Sequence, residues 1–204
     1  MVSFLLALDV RIFRWMHETF SDGGWLALMC VLTVIGSGWG ALMILPLVAA
    51  RPTRRFAASL TATLAASAIV VFALKAIVQR KRPYLVVPGV RALVFEAPTD
   101  FSFPSGHAAG SFTFATFVAV VLVRHARLAP KKRKRRIALS VLALVAALGV
   151  AMSRCALGVH FPGDILAGAV LGTTAGWLGA RWHLRRVAAL EALESATQNS
   201  VSRT

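Results

Sequence analysis

Lys75, Arg82-Pro83, Pro104-Ser105-Gly106-His107, Ser153-Arg154, His160 and Asp164 form an ordered series of polar groups in an otherwise apolar chain. Each group stands at or beside the end of a hydrophobic stretch. Ionisable side chains at a membrane edge are costly, so a whole cluster of them marks a candidate functional site. Three cations, two histidines and a carboxylate are the groups needed to grip and cleave a phosphate ester. A guanidinium presents a planar fork to phosphate oxygens, whereas an ammonium acts as a point charge. A phosphoryl transition state spreads negative charge over its equatorial oxygens, so several fixed donors are required. Taken singly, Lys75 and Arg154 equally fit basic side chains that reach outward from helix ends. Arg80 and Lys81 read as solvated loop charges.

Pro104 to His107 lies where a loop enters a helix. The unsatisfied N–H groups of a helix start favour an anion, Gly106 lets an oxygen approach the backbone, and Ser105 can cap the helix or donate a hydrogen bond. His160 and Asp164 are four residues apart, but Pro162 and Gly163 keep them off one continuous helix. Proline suits the first turn of the following helix, which places Asp164 near its N-terminus. A carboxylate there can hold one ring nitrogen of His160 as a donor and leave the other free to attack. His107 is the candidate acid for a leaving oxygen. His17, His125 and His183 belong to no comparable group. Glu96 and Asp100 stand isolated in a long loop, and two histidines and one aspartate among three cations make a poor cage for a divalent ion, so no metal or other cofactor is expected.

The elements that must carry these groups are apolar helices. The chain has 204 residues, is 57% hydrophobic and has a mean hydropathy of +0.70, which excludes a disordered protein and argues against an ordinary soluble domain. Uncharged runs occupy Gly23 to Ala50, Phe56 to Leu74, Ser105 to Val123, Ile137 to Ser153 and Ile165 to Ala180. Each is about the length that crosses a bilayer. Residues 1–22 differ. Asp9, Arg11, Arg14, His17 and Glu18 interrupt apolar residues at helical spacing, which predicts an amphipathic helix lying in the membrane interface, neither a span nor a signal peptide. The expected fold is therefore all-α, a polytopic transmembrane bundle of about five spans (residues 23–183) with an interfacial helix before it and a polar, frayed tail (184–204) behind.

Five alternating spans sort the net charge of +15 by face. One face collects 15 cations, including the run Lys131 to Arg136, against Glu191 and Glu194, a balance of +13; the other holds 8 cations and 6 acids, a balance of +2. The positive-inside rule assigns the first face to the cytoplasm. Every residue of the polar series then falls on the exterior or periplasmic face. A basic loop between two spans fits this rule better than it fits nucleic acid, so no nucleic-acid partner is expected. Cys30 and Cys155 read as small buried apolar residues, although a bridge between them is conceivable. Gly36-Ser37-Gly38-Trp39-Gly40 reads as a packing notch in the first span, and Arg51-Pro52 as a turn. Trp25, Trp177 and Trp182 lie near span ends, where aromatic belts form. The breakers Pro83, Pro88, Gly89, Pro98 and Pro104 make residues 76–104 a long external loop, a kind that often serves a site.

Three blocks summarise the pattern: Lys75-x6-Arg82-Pro83, Pro104-Ser105-Gly106-His107, and Ser153-Arg154-x5-His160-x3-Asp164. In this order and spacing they closely resemble the signature of the type 2 phosphatidic acid phosphatase superfamily, over roughly residues 24 to 182. The resemblance implies that His160 attacks phosphorus and forms a phosphohistidine, that Asp164 orients it, and that His107 protonates the leaving group. It implies that Lys75, Arg82, Ser105, Gly106 and Arg154 hold the phosphoryl oxygens, without a metal. It further implies an integral lipid phosphatase of a bacterial cytoplasmic membrane, acting at the periplasmic face. The substrate class is a lipid phosphate or diphosphate: undecaprenyl diphosphate (the preferred choice), phosphatidylglycerophosphate, phosphatidate or a lipid A phosphate. A lipid phosphotransferase would use the same intermediate. A polytopic transporter would need polar residues deeper in the spans, which are instead Ala, Val and Leu.

Overall fold

A computed structural model describes residues 2–37, 53–94, 96–128 and 130–201, and all regular structure in them is helical. The helices are α1 (Val2–Phe20), α2 (Gly23–Ile35), α3 (Arg54–Val78), the single turn α4 (Pro83–Val86), α5 (Gly106–Leu128), α6 (Arg133–Ala156) and α7 (Pro162–Val201), with a 3-10 turn (Pro130–Lys132) before α6. Trp39, Gly38, Gly40, Arg51 and Pro52 fall outside the described residues.

Local sequence sets the helix ends that matter for the site. The last turn of α3 closes on Gln79, whose φ of +50° is left-handed and whose N–H reaches the Lys75 carbonyl at 3.1 Å. This reverses the chain directly after Lys75. Arg82 is extended and Pro83 starts α4, where a missing N–H costs nothing. α6 ends before Gly158, whose φ of +77° suits glycine and whose Cα lies against the Arg91 carbonyl, leaving no room for a Cβ. α7 begins at Pro162. Phe161 N–H donates to Asp164 Oδ2 at 2.9 Å, so the third residue of the helix caps its start.

α5 and α7 pack with their backbones nearly touching. A Cβ at Gly168, Gly172 or Gly176 would strike the carbonyl oxygens of Ser105, Ala109 and Thr113 respectively. These glycines repeat every four residues and form one face, the small-residue stripe by which membrane helices approach closely. Gly36 sits against Val150 of α6, as expected for a packing notch. Ile69, Phe72, Ile77, Leu142 and Val170 point outward at 63–75% exposure, an apolar belt far larger than a water-soluble surface carries.

α3, α5 and α6 are long and apolar enough to cross a membrane; α1 and α2 together qualify as a fourth, bent by 111° at their junction. The expected count of five is thus met in part. Beyond Ile35 most of the expected first span lies outside the described residues. The glycines, threonines and tryptophans of α7 lower the hydropathy of the expected fifth. The tail expected to fray from residue 184 instead continues α7 to Val201, as its Ala-, Leu- and Glu-rich sequence favours. Glu194 there pairs with Arg55 at 3.5 Å. The apolar residues of α1 divide: Phe13 and Met16 are buried, Phe13 against Phe161 at 5.4 Å, while Phe4, Leu5 and Trp15 are exposed. Cys30 and Cys155 are both free thiols.

Candidate active site

His160 is the centre of the arrangement. Its N–H and that of Val159 both donate to the Arg154 carbonyl, at 3.2 and 3.1 Å, which pins the turn after α6 against the helix it leaves. The ring is 2% exposed. On one side Nδ1 faces Asp164 Oδ2 at 3.6 Å and Ser102 Oγ at 3.4 Å. Ser102 also donates a short hydrogen bond to Asp164 Oδ2. On the other side Nε2 lies 3.2 Å from Arg82 Nη1. A guanidinium can only donate, so Nε2 is the acceptor and the ring proton sits on Nδ1, facing the carboxylate. The free lone pair of Nε2 therefore points toward the arginine.

Electrostatics hold this tautomer. Burial pushes the His160 imidazole down to about 4; the facing Asp164 carboxylate opposes that shift, and the charges of Arg82 and Arg154 add to it. The ring is neutral at pH 7. Burial also pushes the Asp164 carboxyl up, but the facing His160 ring, the hydrogen bond from Ser102 and the charge of Arg80 outweigh it and leave Asp164 below the usual carboxylate range. The pair is thus a neutral imidazole and a carboxylate.

Arg82 is 3% exposed and fully engaged. It donates to the Val159 carbonyl at 2.8 Å, the Asp100 carbonyl at 2.8 Å and Asp100 Oδ1 at 2.5 Å. Lys75 donates to the Phe101 carbonyl and pairs with Asp100 Oδ2 at 2.9 Å. Asp100 therefore spans the two cations with one carboxylate. Its own burial raises its pKa, but hydrogen bonds from Lys75 and Arg82 lower it further. The expectation that Asp100 stands isolated is corrected: the long loop folds back and delivers it to the site.

Ser105 N–H donates to the Asp164 carbonyl at 3.0 Å, joining the starts of α5 and α7, and Ser105 Oγ faces Ala108 N–H at 3.4 Å. Gly106 opens α5 beside it, where a Cβ would meet Val71 only at 3.8 Å among the described residues. His107 follows within electrostatic reach of Arg154, His160, Arg82 and Lys75. Arg154 is 4% exposed and donates to Thr33 of α2, while its buried Nε has no hydrogen-bond partner among the described residues. An unpaired buried donor is costly, and a phosphoryl oxygen or a water would satisfy it. Ser153 stays out of this set; its hydroxyl returns to the Val150 carbonyl. His17, His125 and His183 bind the Ala156 carbonyl, the Val121 carbonyl and Ser59.

The chain draws the eight candidate residues from four separate stretches into one cluster, seven of them around the His160 imidazole. Residues 56–188 match the PAP2 superfamily. This chain belongs to the PAP2 superfamily. The decaprenylphosphoryl-5-phosphoribose phosphatase of Mycobacterium tuberculosis is 33% identical over 140 residues, 68% of each chain. The lipid A 4'-phosphatase of Bacteroides thetaiotaomicron is 40% identical over 78 residues, 38% of this chain but only 29% of that protein's length. The solved transmembrane PAP2 type phosphatidylglycerolphosphate phosphatase of Bacillus subtilis superposes with a TM-score of 0.72 at 25% identity, covering 89% of this chain and 87% of the other. This PAP2 chain is an all-α transmembrane helical bundle.

Four residues next to the signature are new to the site: Ser102, Asp100, Arg80 and Asp9. Arg80 corrects the reading of a solvated charge. It donates to Asp164 Oδ1 at 2.7 Å and to Asp9 Oδ2 at 2.6 Å. Lys81 is exposed, as expected. Ser102 had one local signal, its place just before the Pro104 block. Asp9 had another, a carboxylate within an apolar helix.

Proposed function

We propose that this protein hydrolyses a lipid phosphate or diphosphate, with His160 Nε2 as the nucleophile. The observation that carries this reading is the division of the His160 ring: Nδ1 turned to Asp164, Nε2 turned to a guanidinium that suits a phosphoryl oxygen. In the first step Nε2 bonds to phosphorus and the bond to the leaving oxygen breaks. The ring gains positive charge, which Asp164 offsets, and His107, protonated once the negative charge of the bound phosphate balances the cations around it, gives that proton to the leaving oxygen. In the second step His107 takes a proton from water as the water displaces His160 from phosphorus. Lys75, Arg82 and Arg154, with the N–H groups at Ser105 and Gly106, hold the phosphoryl oxygens. Asp100 leaves Lys75 and Arg82 when the phosphate arrives. The donors around His160 are cations, which repel a divalent ion, and this supports a metal-free reaction.

The apolar belt lets a lipid tail remain in the bilayer while its headgroup reaches the cations. Arg55 and Lys75 are twenty residues apart on α3, about 30 Å, the thickness of a hydrocarbon core. The basic face and the site thus take opposite ends of the bundle, which supports a site open to the periplasm of a bacterial cytoplasmic membrane. The exposed Phe4, Leu5 and Trp15 support an α1 lying in the interface. A long polyprenyl tail is the substrate class to assay first, undecaprenyl diphosphate foremost, in keeping with the relative that matches two thirds of the chain. Purified protein in detergent with excess chelator is expected to release phosphate from one member of a panel of polyprenyl and glycerolipid phosphates, and vanadate is expected to inhibit it. Strict dependence on an added divalent metal would contradict the mechanism.

A further inference from the structure

Arg80 lies inside the spacer between Lys75 and Arg82, at a position the signature leaves free. Its side chain is 22% exposed; of its partners Asp9 is half-buried at 14% and Asp164 is fully buried. One guanidinium joins two carboxylates, with Nη1 on Asp164 Oδ1 and Nη2 on Asp9 Oδ2. The ring of Phe161 lies 4.1 Å from the guanidinium carbon and fixes its plane. The other Asp9 oxygen accepts the Gly163 N–H at 2.7 Å. A Cβ at Gly163 would come within 3.2 Å of Asp9 and 3.4 Å of Arg80, so the glycine leaves room for the bridge. Three elements meet here: α1, the reversal after α3 and the first turn of α7.

The bridge controls how Asp164 can turn. Oδ2 is taken by Ser102 and the Phe161 N–H, and faces His160 Nδ1. Oδ1 is held by Arg80 among the described residues. Without that hold only the Ser102 and Phe161 contacts on Oδ2 remain, and the carboxylate can pivot about that oxygen, which loosens its aim at the ring nitrogen. Asp9 anchors the other end of the Arg80 fork, beside the Phe161 ring that fixes its plane.

We propose that Arg80 and Asp9 are positioning residues of the reaction: Asp9 of α1 fixes Arg80, and Arg80 fixes Asp164 in the orientation that aims His160. This rests on His160 being the nucleophile. It makes the docking of the N-terminal helix a condition for an ordered active site. Arg80 is bonded to Asp164 and Asp9, on the Nδ1 side of His160 and away from Nε2, which suits positioning and not substrate binding.

The test uses the full chain in detergent, with the Arg80→Gln, Arg80→Lys, Asp9→Asn and double Asp9→Asn/Arg80→Gln variants. Arg80→Gln is expected to lower kcat by about 10- to 100-fold, the scale of a misplaced catalytic group, with KM changed less than about threefold. Arg80→Lys keeps the charge but not the fork and falls between. Asp9→Asn lowers kcat less, and the double variant falls no further than Arg80→Gln, because Asp9 acts through Arg80. A kcat for Arg80→Gln within twofold of the unaltered protein would overturn the proposal. So would a rise in KM at constant kcat, which makes Arg80 a substrate ligand, or losses that multiply in the double variant. A second readout needs no substrate. Nitrogen NMR of labelled histidine is expected to show His160 protonated on Nδ1 in the unaltered protein and a tautomer mixture in Arg80→Gln and Asp9→Asn; an unchanged tautomer in both variants refutes the bridge. If the unaltered protein shows the Nδ1 tautomer yet cleaves no lipid phosphate, the functional reading fails and the tautomer data alone decide the bridge.

Discussion

His160 illustrates how neighbours divide the work of one side chain. Burial alone would make it an inert neutral base; Asp164 and Ser102 fix which nitrogen carries the proton, and Arg82 marks where the other points. Its depressed pKa carries a stability consequence. The unfolded ring binds a proton below about 6.5 and the folded ring only below about 4. Stability from the buried neutral ring is therefore complete above about pH 6.5 and is lost as pH falls through the window toward 4. Thermal melting in detergent is expected to show Tm falling across that window, with a shallower fall in His160→Asn. A fall as steep in the variant would assign the acid sensitivity to other groups. Asp100 yields a different expectation. In the proposed mechanism its carboxylate competes with phosphate for Lys75 and Arg82, so Asp100→Asn is expected to tighten vanadate inhibition by about threefold or more, the scale of a half-exposed ion pair. Weaker inhibition would make Asp100 a support for the two cations instead of a competitor. The signature residues were legible in the sequence because their types and spacing are tied to one chemistry. Asp9, Arg80, Asp100 and Ser102 were not, because each is a common residue whose role depends on which distant partner the folded loop brings to it.

At the scale of elements, the site depends on how closely α5 and α7 approach. Both helices begin in the active site, one with Ser105 and Gly106, the other with Asp164. The glycine stripe Gly168, Gly172 and Gly176 sets their separation. Gly172→Val is expected to cost about 1–3 kcal/mol by overpacking against the Ala109 carbonyl, read as a lowered Tm, and to reduce kcat because both helix starts move. An unchanged Tm and kcat would show that the crossing tolerates a side chain and that the stripe does not position the site. Hydropathy located α3, α5 and α6 because their outward faces are lipid-like throughout. It was less informative for α7, where close packing takes residues that lower the hydropathy, and the helix runs unbroken to Val201. The 111° turn between α1 and α2 was foreshadowed only by Ser21-Asp22-Gly23 and by the charged residues of α1.

For the whole molecule, the charge imbalance and the direction of the helices make one linked expectation. In a background lacking Cys30 and Cys155, a cysteine in the basic loop 131–136 is expected to react with an impermeant reagent only when the cytoplasmic side is open. A cysteine at the exposed Lys81 is expected to react from outside in intact cells. The reverse pattern would turn the site toward the cytosol and remove the periplasmic assignment. The central claim is the covalent bond between His160 and phosphorus. The protein mixed with substrate labelled at the phosphoryl group and quenched in alkali, where phosphohistidine survives, is expected to carry the label on the peptide containing His160, with none in His160→Ala. Turnover with no label on His160 and inversion at phosphorus would mean direct attack by water, and would contradict the mechanism at its first step.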